Sequence, residues 1–170
     1  MVDQDLSLAV YAHRPMHRNT VRVVEAGQRI GVTVSCREFA ESTRTAADAA
    51  AAIGVELGQI VKSLVFTVDD RPVLALVSGD RQLDERKLAV AAGGGRAARP
   101  DAERVREATG FPVGGVPPFG HSTDLPVYVD EGLLRYQEVW ASAGTPNAVF
   151  AVAPVELAAA TRGIVGDITR

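Results

Sequence analysis

Cysteine is nearly absent from this 170-residue chain: Cys36 stands alone. A single thiol excludes an internal disulfide and agrees with a reducing, cytoplasmic setting. Cys36 alternates with Val32 and Val34, so it reads as a small buried apolar residue rather than a reactive thiol. No apolar run approaches the ~20 residues that a membrane-spanning helix needs. The N-terminus places Asp3 and Asp5 ahead of Leu6-Ser7-Leu8 and lacks the basic and apolar regions of a signal peptide. No membrane association is expected. Familiar catalytic patterns are missing too: there is no Gly-x-Ser-x-Gly elbow, no His-Glu-x-x-His helix and no Cys-x-x-Cys pair. His13 and His17 have helical spacing, but Pro15 lies between them and no third ligand is near. Neither a metal nor a cofactor is expected.

Lysine is the other scarcity. Lys62 and Lys87 face 16 arginines, and Lys62 lies inside the apolar run Ile60-Val61-Lys62-Ser63-Leu64-Val65-Phe66. In a strand, Lys62 shares a face with Leu64, Phe66 and Val68, where a charge is unfavourable unless a pocket or partner receives it. An ammonium is a compact, rotatable point charge, which the flat arginine fork cannot replace. Two readings follow. The lysine is either a strand-end residue whose head reaches water along an apolar surface, or a functional cation.

Length and composition describe one globular domain, with 46% hydrophobic and 23% charged residues. The net charge of −3 is not that of a general nucleic-acid binder, but its distribution is uneven. Residues 81–106 hold seven basic and four acidic groups, a local +3 in a chain whose remainder sums to −6. Arg81, Arg86 and Lys87 open that segment and could hold a phosphate backbone; a pair of solvated amphipathic helices would look the same.

Residues 1–18 show no period and are expected to form an irregular arm; 19–170 form the domain. A helix is expected from Asn19 to about Gln28, and a strand over Val32 to Phe39. Thr45 with Asp48 caps an alanine-rich helix that Gly54 ends. Strands at 59–68 and 72–78 form a hairpin across Asp69-Asp70-Arg71. A helix from Asp84 to Ala92 stops at Gly93-Gly94-Gly95, which lacks the Gly-Lys-Ser/Thr of a phosphate loop and follows a helix rather than a strand. Asp101 caps another helix that Gly110 closes. Strands recur at 126–129, 137–142 and 148–152; a last helix runs from Pro154 to Gly163, and Ile164 to Ile168 returns to the sheet. This irregular interleaving predicts an α+β fold, a mixed, largely antiparallel curved sheet with flanking helices.

Two loops could carry chemistry. Residues 110–121 hold four glycines and three prolines. Prolines stiffen such a loop, while Gly114 and Gly115 permit close approach, so backbone amides can be held ready for a carboxyl ester and its oxyanion. A rigid turn is the plain alternative. The second loop follows the strand around Trp140, where Ser142 could hydrogen-bond at a pocket, but no neighbouring residue would activate it as a nucleophile. A turn hydroxyl satisfying local backbone is equally consistent.

These pieces, in this order, resemble the YbaK family, related to the editing domain inserted in bacterial prolyl-tRNA synthetase. The resemblance runs from about residue 19 to the C-terminus. It rests on Val61-Lys62-Ser63-Leu64-Val65-Phe66, on Gly79-Asp80-Arg81-Gln82-Leu83 with Lys87-Leu88, on Ala108-Thr109-Gly110 leading into Gly114-Gly115-Val116-Pro117-Pro118, and on the turn from Ser142 to Gly144. It implies a mixed fold around a small pocket and an aminoacyl-tRNA deacylase acting in trans, on tRNA(Pro) carrying cysteine or alanine. Its partners would be the tRNA acceptor end and prolyl-tRNA synthetase. Lys62 matches the family's functional lysine, Gly114 to Pro118 its substrate loop and Ser142 its pocket hydroxyl. Lys62, Gly114 and Gly115 are then the catalytic candidates. Val116, Pro117, Pro118, Phe119, His121, Ser142 and Gly144 are the substrate-binding ones, and Arg81, Arg86 and Lys87 would contact tRNA. After Ser142 the chain reads Gly144-Thr145-Pro146-Asn147, where better-known members often carry Gly-Lys-Arg-Gly. Two other functions suit the same residues: a non-catalytic module binding tRNA or a synthetase, and a hydrolase of small esters.

Overall fold

The computed structural model describes residues 15–41 and 43–170. Most of the expected N-terminal arm, with His13, lies outside the described residues. Among those described are five α-helices and eight strands, and the strands form two sheets.

Helix α1 spans Arg18–Ile30, beginning where the His17 ring accepts the Asn19 N–H and ending at Gly31, in the left-handed region at φ 80°. Residues 32–38 alternate between sheltered and exposed, as expected, but only β1, Cys36–Glu38, is paired. The alternation records which face is sheltered, not whether a neighbouring strand is present. The Cys36 thiol is pushed up to about 11 by burial and by Glu38, as suits an unreactive packing residue. Helix α2, Ala46–Ile53, starts on the Thr45 hydroxyl, which accepts the Asp48 N–H, a cap contributing about 1 kcal/mol.

Strands β2, Val61–Val68, and β3, Arg71–Ser78, form the predicted hairpin. Asp69 and Asp70 turn it with φ of 48° and 66°, the primed turn that matches strand twist. Helix α3 is Glu85–Ala91, the short β4 is Ala97–Ala98, and α4 is Ala102–Thr109. Then come β5, Val127–Asp130; β6, Val139–Ser142; β7, Ala148–Val152; α5, Pro154–Ala160; and β8, Ile164–Gly166. Two 3₁₀ turns, Leu57–Gln59 and Glu131–Arg135, went unpredicted, since so short an element leaves no period to read.

The larger sheet has the order β4-β2-β3-β5-β8, with β5 parallel to both of its neighbours; the smaller is β1-β7-β6 and wholly antiparallel. Four of six pairings are antiparallel, as expected of the mixed fold, but the strands divide into two sheets rather than one. The division follows from burial. Val61, Val65, Leu74, Leu76, Val127 and Val129 pack toward Phe150 and Phe119, while Phe66, Val73, Ala75, Val77 and Tyr128 pack toward Leu88 and Ile168. The larger sheet is therefore covered on both faces, and β2–β3 reads as near-continuous apolar sequence.

Where the sheets part, β2 has an open edge. Gly79 N–H donates to the Ile60 carbonyl, so Ile60, Lys62, Leu64 and Phe66 form the hydrogen-bonded pairs with β3. The amides and carbonyls of Ser63 and Val65 point the other way. β4 covers that outer edge only at Thr67 and Val68, and a parallel bridge joins Ile60 to Trp140 at the opposite end.

Candidate active site

The open edge of β2 lines a cavity of about 410 Å³, closed on its other sides by β6, β7, the start of α2 and the loop before Val116. Its walls are mainly apolar, with Val65, Val105, Val116, Ala141 and Ala148 among them. The cavity unites Lys62, Gly114, Val116 and Ser142, which the chain order keeps up to 80 positions apart.

Lys62 is half-buried, and its ammonium donates to the Arg81 carbonyl. Burial lowers its pKa, while the carboxylates of Asp130 and Asp80 pull it back up. Asp130 is fully buried at the end of β5. It accepts the Ser78 N–H at 3.1 Å and the Gly132 N–H at 2.8 Å, and the Arg81 guanidinium lies 3.8 Å away. Asp80 pairs with Arg135 at 2.9 Å. The lysine thus stands between an apolar cavity and a braced acidic cluster. Asp130 was missed in the sequence, although a carboxylate closing the apolar run Val127-Tyr128-Val129 carries the same signal as Lys62.

The glycine–proline loop is held from behind. Gly114 takes φ 86°, a conformation favouring glycine, and is exposed at the cavity. Gly115 N–H donates to the Pro112 carbonyl at 3.0 Å, so the amide expected to meet an oxyanion is already closed into a turn. The N–H groups of Gly114 and Val116 have no partner among the described residues, and both residues line the cavity. Gly115 instead makes a close approach: a Cβ there would lie 3.1 Å from the Gly144 carbonyl oxygen. Gly144, at φ 99°, rests in turn on Asn19, whose side-chain amide donates to the Gly144 carbonyl at 3.3 Å.

Other expected site residues lie behind the walls. Phe119 is buried in the core with its ring 5.7 Å from that of Phe150, and Pro117 and Pro118 are buried without reaching the cavity. His121 Nε2 donates to the Pro117 carbonyl at 2.7 Å; burial holds its pKa below the ordinary value, so the ring is a neutral clasp on the loop. Ser142 does line the cavity, its oxygen accepting the Gly144 N–H at 3.2 Å and its proton free to donate inward. Of the basic segment only Arg99 reaches the cavity, and the three residues expected to contact tRNA do not. Lys87 is bound to Asp167 and to the Thr169 carbonyl, both at 2.7 Å, Arg81 leans on Asp130, and Arg86 is exposed on α3.

The aminoacyl-tRNA editing domain model matches residues 40–160, which include the whole cavity lining. The chain belongs to the aminoacyl-tRNA editing domain family. Across 89% of its length it is 32% identical to 92% of EbsC of Enterococcus faecalis, named as a candidate Cys-tRNA(Pro)/Cys-tRNA(Cys) deacylase. A solved structure described as a candidate trans-editing enzyme for prolyl-tRNA synthetase superposes with a TM-score of 0.87 at 46% identity, over 92% of this chain and 99% of that one. Proline–tRNA ligase of Maridesulfovibrio salexigens is 44% identical over 48% of this chain, a match covering 14% of the ligase. This editing domain therefore occurs both as a separate protein and as a small part of a synthetase. No described helix is long and apolar enough to cross a membrane.

Proposed function

We propose that this editing domain hydrolyses the ester of mischarged aminoacyl-tRNA in trans, in the cytoplasm, with tRNA(Pro) carrying alanine or cysteine as substrate. The observation that carries this reading is the meeting of Lys62, the unpartnered Gly114 and Val116 amides and Ser142 around one apolar cavity. Its small walls, Ala141, Ala148 and Val116, suit a short side chain.

The ester is an activated bond, and the chemistry asked of the protein is modest. Water attacks the carbonyl carbon, the acyl–oxygen bond breaks, and the proton passes to the departing ribose oxygen. The products are a free amino acid and uncharged tRNA. Among the described residues no histidine or carboxylate lines the cavity, so a substrate hydroxyl is the base nearest the attacking water. The Gly114 and Val116 amides face the developing oxyanion, where one donor contributes on the order of 3 kcal/mol. Lys62 has two protons left after its bond to Arg81 and uses them on the ester carbonyl or the adjoining phosphate.

A panel of mischarged tRNAs tests the reading directly. Wild type should release the amino acid from at least one, and Lys62→Ala should be slower by about a hundredfold. Its melting temperature should change little, because the desolvation cost of the half-buried ammonium is offset by its attraction to buried Asp130, which keeps Arg81 and two N–H partners. Lys62→Arg should fail as well, since the planar group does not fit a point-charge position. Wild-type turnover in Lys62→Ala would remove the lysine from the mechanism, and in Lys62→Arg it would remove the case for a tightly fitted ammonium; no turnover by wild type across the panel would refute the function.

A further inference from the structure

The charged residues that line the cavity are Arg44, Lys62 and Arg99, with no carboxylate among the described residues there, in a chain of net charge −3. An aminoacyl ester carries its own ammonium. Three protein cations around a fourth charge of the same sign are unfavourable, by about 1 kcal/mol per pair at 4 Å in water and about 4 nearer a protein surface. The lining therefore suits a ligand that brings negative charge with it. Resting on the deacylase reading, we infer that Arg44 and Arg99 grip backbone phosphates of the RNA 3′ strand, all of which lie on the 5′ side of the terminal ester. These contacts make the site selective for esters attached to RNA over free amino-acid esters.

The two arginines are placed for this. Arg99 lies between β4 and α4, both anchored, with its guanidinium 5.6 Å above the Phe66 ring near the far end of the open edge. Arg44 lies at the opposite end, before α2, which packs on Ile60 and Trp140. Its neighbours are fixed: Thr43 donates to the Pro146 carbonyl at 2.9 Å and Thr45 caps α2. Neither guanidinium has an acidic partner among the described residues, in contrast to Arg81 and Arg135. The Arg99 guanidinium is held over a ring and the Arg44 backbone is fixed on both sides, while neither charge is neutralised, as a phosphate clamp requires. The open end of the cavity also carries Val113, 62% exposed, an apolar lip beside the path such a strand would take.

The test measures binding of uncharged tRNA by fluorescence anisotropy across a salt series, which does not depend on catalysis. Relative to wild type, Arg44→Ala/Arg99→Ala should bind at least tenfold more weakly, and the log–log salt slope should fall by ~0.7 for each single-strand phosphate that is no longer neutralised. Arg29→Ala/Arg162→Ala removes the same charge from positions off the cavity and should leave the slope unchanged. Arg99→Lys keeps the charge and should keep most of the slope. In turnover, the Arg44/Arg99 variant should lose kcat/KM on mischarged tRNA through KM, while hydrolysis of a phosphate-free aminoacyl-adenosine should not fall. An unaltered salt slope in the double alanine variant, or absence of tRNA binding by wild type, overturns the inference. Normal binding behaviour with no deacylation by wild type would leave the clamp standing and sink the function instead.

Discussion

Two glycine-rich loops in this protein have similar composition and opposite fates. At Gly93-Gly94-Gly95 the amides of Gly95 and Arg96 both donate to the Asp69 carboxylate at 3.0 Å, and these bonds hold that carboxyl below its usual pKa. The anion that such amides favour is supplied by the tip of the β2–β3 hairpin. At Gly114-Gly115-Val116 one amide is closed into a turn, and its two neighbours, which belong to cavity-lining residues, have no partner among the described residues. A glycine loop becomes a site only where the rest of the chain leaves its donors unfilled. Composition does not distinguish the cases, because the partner that fills the first loop lies 26 residues away in sequence.

The strongest way to break this contrast is Gly115→Val. Its Cβ would already crowd the Gly144 carbonyl, so the two cavity loops must separate and carry the Gly114 and Val116 amides with them. Turnover should fall by about a hundredfold, together with some melting temperature. Rate and melting temperature measured on one preparation decide it: a folded variant with near wild-type rate would mean that these amides do not meet the ester.

Gly94→Ala is the counterpart. An added Cβ would lie 2.4 Å from a Val68 methyl and 2.8 Å from the Asp69 carboxylate, with no relation to the cavity. The expected cost is about 1–3 kcal/mol of stability, read from denaturant unfolding, at unchanged kcat/KM per folded molecule. Asp69→Ala should likewise lower stability and spare turnover. A rate defect in either would tie the filled loop to the site and erase the distinction.

The smallest effect is a pH dependence at the clasp behind the open loop. His121 has a folded pKa below its unfolded value, so below about pH 6.5 the unfolded chain binds the extra proton first. Its contribution to stability is complete above that pH and is lost as pH falls toward the folded value. Melting temperature should decline between about pH 7 and 5.5, less steeply in His121→Gln. An equal decline in the variant would assign the slope to other groups.

Much of the fold was legible locally. The Thr45 and Asp101 caps, the helix start at Asp84, the left-handed Gly54 and Gly110 stops and the Asp69-Asp70 turn each rest on a few neighbouring residues, so short windows carried them. The candidate site was legible in part. Lys62 stood out as a charge in an apolar strand and Ser142 as a hydroxyl in the loop after one, and both line the cavity. Phe119 and His121 sit in the same suggestive loop, yet their side chains turn to the core, and spacing within a loop does not encode direction. Arg99 was marked only as one of seven basic residues in 81–106, and Arg44 carried no local mark at all.

By itself the sequence determined where elements start and stop, that an ammonium would sit in an apolar strand, and that residues 110–121 would be a stiff loop, because caps, alternation and proline act over a few residues. Only the tertiary structure decided that β2 would keep an open edge between two sheets. It alone decided which glycine amides would be filled by Asp69 and which left empty, and that the cavity would gather Arg44, Lys62 and Arg99 around one apolar space. Those outcomes depend on which distant groups pair. Pairing is set by the competition of all buried faces and hydrogen-bonding groups for partners, a property that no short segment carries.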